Sequence, residues 1–191
     1  MRILQSHYIY ITLVCLFSVA CTVPNQARQQ RTKTTYTLVS ISNSNTHIAK
    51  GSTFTWLPQK RPVLGNTRIN KSEIGQLLDH SFKETLKKQG FIWRNASNEA
   101  QYQLTYVAIA GDAVSEADIN RSFQINPGLK SDSYISKKYE KGTLIVDIID
   151  SRSGQSVWRV SMQANLDRDD DLIARQQRIN GAVQALISKI P

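Results

Sequence analysis

Gly142-Thr143-Leu144-Ile145-Val146-Asp147-Ile148-Ile149-Asp150, the link Ser151-Arg152-Ser153-Gly154, and then Gln155-Ser156-Val157-Trp158-Arg159-Val160-Ser161-Met162 decide how this chain folds. Both runs are dense in Val, Ile, Leu and Trp, residues that suit a pleated, half-buried surface. The link ends in Gly154, which can take the positive φ that a four-residue turn often needs. The pattern predicts a hairpin. Side chains alternate along a strand, so Trp158 and Arg159 must point to opposite faces. Asp147 and Asp150 lie three residues apart and also diverge, which argues against a two-carboxylate mechanism through them.

Outward from the hairpin, Gln101 to Ala110 alternates Gln and Thr with Tyr and Leu before turning wholly apolar, as a strand does when its far end is more deeply buried. Between them, Gly111 to Lys141 is polar with a Pro127-Gly128 turn, and reads either as an excursion or as a short helix and strand without clear bounds. Beyond the hairpin, Asp169, Asp170 and Asp171 open a helix whose buried stripe is Leu172, Ile179, Val183, Leu186 and Ile190. Upstream, Asn70 with Glu73 forms a capping-box-like start, and Ile74, Leu77, Leu78, Phe82 and Leu86 follow at helical spacing until Gly90. Asp79 with Lys83, and Glu84 with Lys88, are expected as i,i+4 pairs on its wet side. Tyr36 to Ser42 and Ser52 to Leu57 read as strands, separated by the turn-forming Ser42-Asn43-Ser44-Asn45. Together these elements predict an α+β domain over residues 36–191, with one mostly antiparallel sheet and two amphipathic helices packed on one face.

The first 20 residues are of a different kind. Arg2 is their one charge, and Tyr8 to Ala20 is an apolar run too short for the roughly 20 residues that span a bilayer, the proportions of a signal peptide. The run closes on Ser18-Val19-Ala20-Cys21, which resembles a lipobox apart from Ser18 in the position usually held by leucine. Ordinary signal peptidase would cut at the same bond and leave a soluble chain, but Cys21 would then be a lone exported thiol. Cys21 is therefore the expected lipid acceptor. Residues 22–35, with Pro24, Arg28, Arg31 and Lys33 and no acid, have the composition of a tether reaching about 20 Å. In a Gram-negative cell, Thr22 lacks the aspartate that retains lipoproteins in the inner membrane, so the expected address is the periplasmic face of the outer membrane.

Charge is unevenly spread. The whole chain carries +9, yet from Cys21 to Asn95 twelve Lys and Arg stand against three Asp and Glu, while the remainder is nearly balanced. That basic half, with Lys50, Lys60, Arg61, Arg68 and Lys71 in or near loops, points to a membrane, an anionic lipid or an envelope protein as partner. No aromatic-basic motif suits nucleic acid. Lys60, Arg61 and Arg159 are the candidate partner surface, while Trp56 and Trp158 are expected to pack. Catalysis is poorly supplied, since His47 and His80 are the mature chain's histidines and neither has a ligand-spaced neighbour. No cofactor is called for, and the acids at 169–171 are expected to complement a helix dipole rather than bind a cation.

The hairpin residues, with Ser153-Gly154 and Val157-Trp158-Arg159, resemble the signature of bacterial lipoproteins grouped as domain of unknown function 4136. Thr53-Phe54-Thr55-Trp56-Leu57-Pro58 is similar to that family's early aromatic strand, Leu86 to Phe91 to its helix end, and Ala182 to Pro191 to its closing helix. The chain departs from the pattern in Gly111 to Lys141 and at Val160. The resemblance implies a periplasmic lipoprotein domain without an established activity. The alternatives are an enzyme whose residues follow no familiar pattern and a small-ligand-binding periplasmic domain.

Overall fold

The computed structural model describes residues 36–42, 46–59, 61–66, 70–126, 128 and 139–191, which belong to the unit beginning at Thr34. Among them the chain forms β1 (Tyr36–Ser42), β2 (Thr53–Trp56), β3 (Val63–Leu64), α1 (Lys71–Lys88), β4 (Ile92–Trp93), a 3-10 turn (Ser97–Glu99), β5 (Tyr102–Ala110), α2 (Glu116–Phe123), β6 (Tyr139–Asp150), β7 (Ser156–Asp167) and α3 (Leu172–Ile187).

The hairpin is β6 and β7, paired antiparallel from Tyr139↔Asp167 to Ile149↔Ser156 with a bulge beside Ile148. β6 begins three residues before Gly142 and β7 ends five residues after Met162, because the ladder continues through Lys141↔Asn165 and Glu140↔Leu166 to Tyr139↔Asp167. At the turn, Asp150 Oδ1 accepts the amides of Arg152 at 3.0 Å and Ser153 at 2.8 Å. Those bonds, the Ser153 amide first, hold the Asp150 carboxyl below its ordinary pKa. Gly154 sits at φ +68, and a Cβ there would meet no atom within 4 Å. Its cost is therefore purely that of the backbone. Gly154→Val is expected to destabilise the domain by about 1–2 kcal/mol, because a β-branched residue resists the left-handed region. The check is the urea midpoint, and an unchanged midpoint would contradict this turn.

The described strands form one sheet in the order β1-β7-β6-β5-β2-β4, with β3 also on β5. β1 to β7, β7 to β6 and β6 to β5 are antiparallel, whereas β2 to β5, β2 to β4 and β3 to β5 are parallel. The sheet is mixed, not mostly antiparallel as the sequence reading had it. The reason is the 18-residue α1 between β3 and β4. A helix of that length returns the chain to the end from which it left, so β4 and β5 are laid down parallel to β2. β1 and β2, near one another in sequence, lie in different parts of the sheet, and the expected turn residues 43–45 fall outside the described residues.

Asn70 caps α1 as predicted, accepting the Glu73 amide at 3.2 Å, and Gly90 follows the helix at φ +87. Asp171 caps α3 by accepting the Ala174 amide at 2.7 Å, so the three acids precede the first turn instead of filling it. This shifts the helix start, and Leu172 is left 52% exposed rather than in the buried stripe. The uninterpreted middle contains α2, capped by Ser115 and ended by Gln124 at φ 53; Pro127 of the expected Pro127-Gly128 turn and residues 129–138 fall outside the described set.

Leu78, Phe82 and Leu86 of α1 and Val183, Leu186 and Ile187 of α3 share one core with Leu104, Tyr106, Val146, Ile148, Trp158, Val160 and Met162 of the sheet. Strand alternation puts Ile109 and Ile145 on the reverse face, where Ile119 of α2 and Ile125 cover them. Two helices thus pack on one face as expected, and a third lies on the other.

Candidate functional site

The site grows from the end of β2. Trp56 faces α1, with edge-to-face contacts to Phe82 at 6.2 Å, Tyr106 at 5.9 Å and Trp93 of β4 at 4.9 Å between ring centroids. The Arg61 guanidinium lies over the Trp56 ring, 4.2 Å from its centroid, a cation–π contact. Two bonds to Asp79 fix it there, from Nε at 3.1 Å and Nη2 at 2.8 Å. The Tyr106 hydroxyl donates to Asp79 Oδ1 at 2.8 Å, with the Gly75 carbonyl oxygen at 3.2 Å. Burial, reinforced by Asp79, pushes the Tyr106 pKa well up, so the phenol remains a donor. Burial opposes the Arg61 charge, but Asp79 outweighs it and holds the Arg61 pKa above its ordinary value.

This triad decides what happens to Lys83. The expected Asp79–Lys83 pair does not form, because the Asp79 carboxylate is taken by Arg61 and Tyr106. Lys83 instead sits over Trp93, its ammonium 5.4 Å from the ring centroid. The second expected pair changes too, with Glu84 bonded to Lys87 at 3.1 Å rather than to Lys88. Beside the two tryptophans opens a cleft of about 340 Å³ lined by Thr55, Trp56, Pro58, Lys83, Trp93, Arg94 and Asn95. Among the described residues neither Lys83 nor Arg94 has an acidic partner, and no carboxylate lines the cleft. The arrangement offers two apolar walls and two uncompensated cations, which suits an anionic ligand with a ring or chain to place against indole.

The candidate partner-surface residues fare differently. Arg61 borders this cluster but is committed to Asp79. Arg159 pairs with Asp147 on the reverse face, where its Nη1 also donates to the Phe123 carbonyl of α2 at 2.8 Å. Ser156 Oγ donates to the same Asp147. Arg159 thus fastens α2 to the sheet, and its guanidinium is occupied inside the fold. Lys60 and Cys21 lie outside the described residues, as do Arg28, Arg31, Lys33 and Arg68. Trp158 is 1% exposed and packs in the core, while Trp56 is half-buried at the cleft. His47 and His80 are exposed, and no three His, Cys, Asp or Glu residues gather in a metal-binding group among the described residues. Asp170 pairs with Arg178, and Asp171 is spent on the cap.

Sequence reasoning missed Trp93, Lys83, Arg94 and Asn95 as neighbours of Trp56. The available signal was Phe91-Ile92-Trp93 directly after the helix-ending Gly90, an apolar triplet too short for a strand pattern.

No curated protein matches the chain. Among solved structures, a DUF4136 family protein from Bacteroides thetaiotaomicron is similar over 81% of this chain and 95% of its own, at 14% identity and a TM-score of 0.50. A PDZ domain protein from Parabacteroides distasonis matches 83% of this chain at 12% identity and a TM-score of 0.51, and the match spans 36% of that protein. A dodecameric PelC variant from Paraburkholderia phytofirmans matches 80% of this chain and 96% of its own at 13% identity, with a TM-score of 0.48. Residues 39–191 match the model described as a domain of unknown function, DUF4136, a span that takes in all but the first three residues of the described elements, and the chain belongs to that family.

Proposed function

We propose that this protein is a non-catalytic lipoprotein of the bacterial envelope. Its signal peptide is removed before Cys21, Cys21 is acylated, and residues 36–191 are held by the tether at the periplasmic face of the outer membrane. There the domain binds a protein, lipid or cell-wall component. The observation that carries this reading is the apolar run Tyr8 to Ala20 closing on Ser18-Val19-Ala20-Cys21, followed at once by a polar, acid-free stretch. Each buried methylene contributes about 0.8 kcal/mol, so two or three acyl chains anchor stably where one holds only marginally. The basic excess up to Asn95 supports an anionic surface as a neighbour. The non-catalytic part of the reading is supported by the ion pairs of the fold, which spend Asp79, Arg61 and Tyr106 on one another and Asp147 on Arg159. A second reading, a small-ligand-binding domain, is favoured by the cleft between Trp56 and Trp93.

The test is intact mass and membrane fractionation of the wild type beside Cys21→Ser. The wild type is expected in the membrane fraction with an acylated N-terminal Cys21, and the variant as soluble or unprocessed protein. A wild-type chain that begins at an unacylated Cys21 would overturn the anchor.

A further inference from the structure

We propose that the cleft between Trp56 and Trp93 binds an acidic saccharide, a sugar residue carrying a carboxylate such as a uronic acid, with Lys83 and Arg94 holding the carboxylate. This deepens the envelope-binding reading and rests on it for where the ligand is met. Complementarity of charge and surface carries the inference. Among the described residues the cleft lining supplies two cations and no carboxylate, and the acids of α1 four before and one after Lys83 are already used, Asp79 by Arg61 and Tyr106 and Glu84 by Lys87. An anion entering here meets no repulsion and restores the charge balance that Asp79 fails to give Lys83. The two indoles stand edge to face at 65°, and with Pro58 they give the cleft its apolar surface beside the Lys83 ammonium that lies over Trp93. The C–H faces of a pyranose ring are apolar and pack on such walls, while its hydroxyls remain at the rim, where the Asn95 amide offers both a donor and an acceptor.

Size agrees with this class. A volume of about 340 Å³ lies at the lower end of the roughly 300–1,000 Å³ of small-molecule sites, space for a sugar residue or two rather than a long chain. The cations are also set for recognition rather than for stability. Lys83 lies over Trp93, and Arg94 is exposed, its amide fixed by the Phe54 carbonyl at 2.7 Å, and neither side chain has an acidic partner among the described residues. A neutral sugar would leave both cations unanswered. A bare phosphate would leave both indoles unused.

The experiment titrates purified full-length protein in detergent with digalacturonic acid, with the neutral disaccharide cellobiose and with inorganic phosphate, following calorimetry and tryptophan fluorescence. Digalacturonic acid is expected to bind and to shift the fluorescence, with cellobiose and phosphate at least about ten-fold weaker. Lys83→Gln with Arg94→Gln is expected to weaken the acidic sugar by about ten-fold or more, since charge-assisted bonds are lost. Both residues lie outside the core, so the melting temperature of this variant should match the wild type and separate lost binding from lost folding. No binding of digalacturonic acid, equal binding of cellobiose or of phosphate, or binding that survives the double substitution would each overturn the proposal. The assay does not depend on acylation. An acylated chain that ignores the sugar sinks the cleft alone, and a sugar-binding chain without acyl mass sinks the anchor alone.

Discussion

Trp158→Ala is expected to lower the unfolding free energy by about 3–5 kcal/mol, the range for deleting a large aromatic from a core that refills incompletely. Trp158 is 1% exposed and lies opposite Ile148 of β6 on one side and Ser42 of β1 on the other. Its loss opens a void in the core that the sheet shares with α1 and α3, among side chains that answer to three strands at once. For a domain of about 150 residues each kcal/mol moves the melting temperature by roughly 2–4 °C, so a fall of about 10 °C is expected. Urea unfolding should show a lower midpoint at an unchanged slope, because the same surface is exposed on unfolding. Trp158→Phe should recover much of the loss. A fall of under about 2 °C for Trp158→Ala would mean that this face of β7 is not the core.

The neighbouring residue acts by another mechanism on the other face. Arg159→Leu is expected to cost about 2–4 kcal/mol, since it leaves the Asp147 carboxylate largely buried with Ser156 as its remaining side-chain donor. It also cuts the bond to the Phe123 carbonyl, so amide exchange should accelerate in α2 more than in α1 or α3. Adding Asp147→Leu removes the stranded charge as well. The double variant is therefore expected to be more stable than Arg159→Leu alone, a sign of coupling that a mere loss of packing would not give. Additive losses in this cycle, with α2 exchange unchanged, would contradict the role assigned to the pair.

These two predictions also mark what was legible in the residues. Alternation along β7 by itself separates Trp158 from Arg159, and nothing in that alternation names Asp147 or Phe123 as the partners of Arg159. The cleft was hidden for the same reason. Trp56 stood out in its aromatic strand, but its companions Arg61, Asp79, Trp93 and Tyr106 come from separate elements, with Arg61 and Asp79 18 positions apart. Asp79 was assigned to Lys83 because helical spacing makes them neighbours; the competing claim of Arg61 and Tyr106 exists only once the segment before β3, β5 and α1 are packed.

What the sequence determined by itself is therefore local: the β6–β7 turn with its glycine, the Asn70 cap and Gly90 stop of α1, the apolar face of that helix, and the family pattern carried by the hairpin. Each follows from side-chain period, capping chemistry or permitted φ within a few residues. Only the tertiary structure decided strand order, the parallel pairing of β2 with β5, the capped start of α3 that leaves Leu172 exposed, and the partners of Asp79. Those depend on which surfaces meet when α1 carries the chain back across the sheet, and a carboxylate settles with the cations and donors that packing brings to it, whatever its neighbours in sequence.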